Sequence, residues 1–77
     1  MEHDQVMQAR HAGELVEAVV APAESSNGWV LLLVNPDGDQ LPYTTHGGIR
    51  KVFHTLDHAT EVARELGFES IRVEESF

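Results

Sequence analysis

The stretch GWVLLLVNPDGDQLPYTT, residues 28–45, decides the fold. Trp29 to Val34 is apolar at six successive positions, rich in β-preferring residues and too short for a typical helix. Asn35-Pro36-Asp37-Gly38-Asp39 is a cluster of turn formers, and Gln40 to Thr45 returns as a second strand, so the whole reads as a hairpin. Pro42 has no N–H to give a ladder and belongs on an open edge or at a bulge.

Upstream, LVEAVVAP (15–22) ends in proline and carries the Val19-Val20 pair. It is read as a strand pairing with Trp29–Val34, although Glu14 to Ala21 also fits a helix extended from the N-terminus. Downstream, THGG (45–48) marks another turn and IRKVF (49–53) another strand. In HTLDHATEVARELGF (54–68), Leu56, Ala59, Val62, Ala63 and Leu66 recur at helical spacing, with Asp57, Thr60, Glu61, Arg64 and Glu65 on the other face. Thr55 suits the N-cap, Asp57 the positive end of the helix dipole and Gly67 the stop, with Phe68 folding back. SIRVE (70–74) then alternates Ile71 and Val73 inward. The expectation is an α+β domain over residues 14–77, after an N-terminal segment, 1–13, that is loose or helical. Its sheet has four to five antiparallel or mixed strands, in the order β-β-β-β-α-β, with one amphipathic helix packed on one face.

Seventy-seven residues make one domain near the lower limit for a self-sufficient core. Without cysteine, neither a disulfide nor a zinc-thiolate site can reinforce it. A hydrophobic fraction of 42% favours a folded domain over an acidic tail. MEHDQVMQARH has no apolar core of signal-peptide length and no run approaches the ~20 residues of a bilayer span, so a soluble, cytoplasmic protein without membrane contact is expected.

Six successive apolar residues in one strand call for cover on both faces of the sheet. One helix covers one face. The other is closed either by the N-terminal segment or by a second copy, and a homodimer is favoured, through Trp29, Leu31, Leu32 and Leu33.

Charge is segregated. The net charge is -8, yet the 17 residues between Asp39 and Asp57 hold no acid and contribute +2, leaving -10 on the remainder. Tyr43, His46, Arg50, Lys51 and His54 thus form a basic, glycine-tipped hairpin able to meet phosphates or an acidic partner. Against this, two fixed charges neutralise few phosphates, and surface charges commonly only offset their neighbours. Asp57, Glu61 and Glu65 share a helix face with like charges at i,i+4, a surface that would dock a basic partner or imitate a phosphate backbone. A solvated, solubilising face explains the same pattern, and Arg64 interrupts it.

No catalytic constellation stands out, and a non-enzyme without cofactor is expected. THGGIR precedes a strand, where no helix dipole would meet an anion; the serines lack an adjacent base; and so small a domain has little room for a pocket of ~300 Å³. His54 and His58 are four apart, but His54 precedes the cap and a third ligand is missing, so no metal site is assigned. Met1-Glu2-His3 offers square-planar donors, a pattern that chance often produces.

RKVFHTLDHA (50–59), leading from strand into helix, resembles the small sheet-plus-helix modules at the N-terminus of some integrases, which dock the sheet in DNA; those modules are basic. The run LVNPDGDQL…THGGIRKVFHTLDHATEVARELGF is similar to short uncharacterised proteins of proteobacterial plasmids and integrative elements. Their Arg-x-x-Phe-x-x-Leu-Asp-x-Ala signature falls on Arg50, Phe53, Leu56, Asp57 and Ala59. The resemblance implies a mobile-DNA context and no activity. The function expected is a non-enzymatic interaction or regulatory accessory module. The alternatives are a weak nucleic-acid binder using hairpin 43–54, or an acidic-face partner or DNA-mimic inhibitor.

Overall fold

A computed structural model describes residues 1–24 and 27–74. Seven elements follow in order: α1 (His3–His11), β1 (Glu17–Pro22), β2 (Trp29–Val34), β3 (Gln40–Pro42), β4 (Val52–Phe53), α2 (Leu56–Glu65) and β5 (Ile71–Val73). The fold is α+β, with a mixed sheet of order β3-β2-β1-β5 and β4 added to β2.

The apolar strand β2 organises the sheet. Along one edge it pairs antiparallel with all of β1, from Glu17 opposite Val34 to Pro22 opposite Trp29. Its other edge is shared end to end, with β3 opposite Leu32–Val34 and β4 opposite Trp29 and Val30. This sharing leaves β4 shorter than the IRKVF strand expected, and Arg50 only bridges to Thr44 within the hairpin. Gly28 makes the β4 junction possible: a Cβ there would lie 2.6 Å from Val52 Cγ1 and 2.8 Å from the Phe53 carbonyl oxygen. The β2–β3 turn is held by Asn35, whose Oδ1 accepts from the amides of Asp37 and Asp39 at 3.1 and 2.9 Å. Pro42 sits in the edge strand, where its missing N–H costs no ladder bond.

Helix α2 begins and ends as its sequence dictates. Thr55 accepts from the His58 amide at 3.1 Å, and Gly67 takes φ 93°, after which the Phe68 amide returns to the Ala63 carbonyl. Ala59 and Ala63 are fully buried, and their small side chains let the helix lie close on the sheet. β5 then pairs parallel with β1, bringing Ile71 into register with Ala18. Val73, expected inward, stays 39% exposed at the border of the sheet.

The N-terminal segment is helical. Gln5 reaches back to the Glu2 amide at 2.9 Å, and Val6 and Ala9 enter the same core as Ala59, Ala63, Leu31, Leu33 and Phe53. Backbone bonds from the Met1 amine to Pro42 O (2.7 Å) and from Thr44 N to Met1 O (2.7 Å) fix its start. At its other end, Arg10 donates to the Gly67 carbonyl and lies over the Phe68 ring, 5.5 Å from the centroid. Both helices therefore form one layer on one face. Closure of the opposite face by the N-terminal segment does not occur.

Candidate functional site

Two surfaces follow from this arrangement, one on each side of the sheet. Strand alternation sends Trp29, Leu31 and Leu33 to the helices and Val30, Leu32 and Val34 to the far face. Register adds Val19 and Ala21 from β1, Pro42 from β3 and Val52 from β4. Val19 and Val30 are buried outside the helix-side core, Leu32, Val34 and Ala21 are half-buried, and Val52 is exposed. Of Trp29, Leu31, Leu32 and Leu33, the residues assigned to a partner face from sequence, only Leu32 lies there. A period of two cannot place four residues, three of them consecutive, on one face.

The borders of the far face are charged in opposite senses. At the β5 side Arg72 lies 3.8 Å from both Glu17 and Glu74, leaving one uncompensated carboxylate. At the other side Arg50, two residues before Val52, is exposed and in no ion pair among the described residues.

On the helix side, Tyr43 and Phe53 stack with centroids 6.0 Å apart and planes at 28°. His58 meets the Phe53 ring edge-on at 5.2 Å, and His3 Nδ1 lies 2.9 Å from the Tyr43 hydroxyl. The Lys51 ammonium sits 5.8 Å over the Phe53 ring. Together with Thr44, Thr45, Val62 and Glu65, these residues line an open cleft of about 390 Å³, where the sequence suggested too little room. Partial burial, and secondarily the Glu65 carboxylate, raise the Tyr43 phenol above its ordinary pKa of 10.0. The phenol is neutral at physiological pH.

The basic hairpin does not act as one patch. Tyr43 and Lys51, joined by a backbone bond from Lys51 N to Tyr43 O, line the cleft. Arg50, one residue earlier, belongs to the opposite face. His46 stands exposed at the tip with Nδ1 2.8 Å from Glu2 Oε1, and His54 is exposed after β4. Gly47 and Gly48, with φ of 102° and 82°, make the tip that leaves Ile49 70% exposed. The acidic helix face also divides: Glu65 lines the cleft, while Asp57 and Glu61 are exposed away from it.

Of the cleft residues, the sequence singles out Tyr43, Lys51 and Glu65 but not His3, Thr44, Thr45, Phe53, His58 or Val62 as site residues. His58 five residues after Phe53 is a local signal, whereas His3 arrives from 40 residues away and has none. Among the described residues no group of three His, Cys, Asp or Glu is arranged to hold a metal. In the structure the Met1 amine donates to the Pro42 carbonyl and His3 Nδ1 meets the Tyr43 hydroxyl. Ser25, Ser26 and Ser76 lie outside the described residues. No described helix is long and apolar enough to cross a membrane.

Comparison with known proteins returned no relative. No family model matches the chain, and neither the curated proteins nor the solved structures compared with it give a significant match.

Proposed function

We propose that the protein is a non-enzymatic interaction module that pairs with a second copy of itself through the sheet face opposite the helices. One observation carries this reading: both helices lie in one layer, while Ala21, Val30, Leu32, Val34, Pro42 and Val52 line the other side of the same strands. A second copy fits this face electrostatically. The chain carries -8, so two copies repel over most of their surface. On the far face Arg50 at one border balances the uncompensated carboxylate of the Glu17–Arg72–Glu74 cluster at the other. A twofold axis parallel to the strands brings each border over its opposite, so the pairing is self-complementary.

Size sets the strength. Two strands of about 20 Å and three of about 7–10 Å, spaced about 4.8 Å apart, present roughly 300 Å² per copy, well under half of the ~800 Å² per partner of a standard stable interface. The dimer is therefore weak and concentration-dependent, which suits a regulatory accessory role better than a permanent assembly. Sedimentation equilibrium over a wide concentration range tests it. The wild type should move from monomer to dimer, Leu32→Glu should remain monomeric with an unchanged far-UV spectrum, and Arg50→Glu should weaken association. A wild type that stays monomeric, or a Leu32→Glu protein that associates as before, contradicts the reading.

A further inference from the structure

We infer that the cleft between the hairpin and α2 is a binding site for a small zwitterion with a flat apolar body, in chemical class an aromatic α-amino acid. Lys51 and Glu65 carry opposite charges into one cleft, and neither is in an ion pair among the described residues. Two unmatched opposite charges over a shared floor are complementary to a molecule that carries both signs. The aromatic surface open to a ligand is given by half-buried Tyr43 and exposed His58, with Phe53 buried behind them, and it suits a flat ring. The ligand carboxylate would meet the Lys51 ammonium beside Thr44 and Thr45, and its ammonium the Glu65 carboxylate, as charge-assisted hydrogen bonds.

Other ligand classes fit less well. A phosphate ester or nucleotide would face one fixed cation and be repelled by Glu65. A cation alone would be repelled by Lys51, and no metal-binding group of three exists among the described residues. A volume of about 390 Å³ falls in the small-ligand range. Because the cleft is open, the expected dissociation constant is in the roughly millimolar range. This site lies on the helix side of the sheet and goes beyond the self-association proposed above.

The test is an amide-correlation NMR titration of the isotopically labelled full chain with three probes: L-phenylalanine, benzylamine, which lacks the carboxylate, and 3-phenylpropionate, which lacks the ammonium. L-phenylalanine should give saturable shifts on Tyr43, Lys51, Phe53, His58 and Glu65. The two single-charge analogues should bind at least about tenfold more weakly, as should L-phenylalanine to Lys51→Met and to Glu65→Gln. Leu32→Glu should bind L-phenylalanine as the wild type does, which separates this site from the dimer face. Absence of saturable shifts, equal affinity for any analogue, or variants that bind like the wild type would each overturn the inference. Both substituted side chains lie at the surface of the cleft, and two independent variants guard against one that fails to fold.

Discussion

On the helix side of β2, Leu31 and Leu33 are fully shielded in a cluster with Ala59, Ala63, Val6 and Phe53. One residue away, Leu32 and Val34 face the other direction, half-buried and outside that cluster. The side chains are equally apolar, so composition does not separate the two faces. Connectivity does. The bonds from Met1 to Pro42, from Thr44 to Met1 and from Arg10 to Gly67 tie α1 beside α2, and both helices are consumed in covering one side. An apolar strand thus states that it needs cover without stating what supplies it.

Truncating neighbouring leucines should separate the two faces most strongly. Leu31→Ala should cost about 2–5 kcal/mol of unfolding free energy, the usual range for a fully buried leucine. Leu32→Ala should cost less, about 1–2 kcal/mol, at concentrations where the chain is monomeric, since its side chain is only partly covered by its neighbours in the same molecule. Urea unfolding at low protein concentration reads both, and equal losses would mean that the far face is already closed. Next in size, Gly28→Ala should cost roughly 1–3 kcal/mol by forcing β4 away from β2. The loss should be visible as faster amide exchange at Val52 and Phe53. Thr55→Ala removes the cap of α2 and should cost about 1 kcal/mol while leaving the far face unchanged.

The smallest effect concerns the cleft. Tyr43 is the one tyrosine of the chain, so the near-ultraviolet tyrosinate band reports it alone. Its midpoint should lie above 10.0 in the folded protein. Because the folded value is raised, the stabilising contribution is complete below pH 10.0 and is lost as pH rises through the folded midpoint. Glu65→Gln should lower the midpoint without returning it to 10.0, since burial, the larger cause, persists. A midpoint at or below the ordinary value would contradict the described environment of the phenol.

Much of the fold was legible because its signals are local. Period-two and period-3.6 patterns, the Asn35–Asp39 turn, the Thr55 cap and the Gly67 stop each act within a few residues, and each element follows. The position of α1 was not legible, because Val6 and Ala9 give it only a narrow apolar stripe and its docking depends on bonds to residues some 40 positions away. The same distance hid His3 from the cleft. Charge along the chain groups Tyr43 and Lys51 with Arg50, His46 and His54, a grouping that the pleat and the hairpin tip break apart. Leu32 was named along with Trp29, Leu31 and Leu33 for the same reason: sequence order holds them together, and the pleat sends them to opposite sides.

In the proposed dimer, two copies meet at the far face of the sheet. The most direct measurement of this contact is an isotope-filtered NMR experiment on a one-to-one mixture of labelled and unlabelled protein at high concentration. Intermolecular contacts should join the methyl groups of Leu32, Val34 and Val52 to their counterparts, with none from Leu31 or Leu33. Intermolecular contacts confined to Met7, Ile49 or the helix layer, or none at all from a sample that sedimentation shows to be monomeric, would contradict the account.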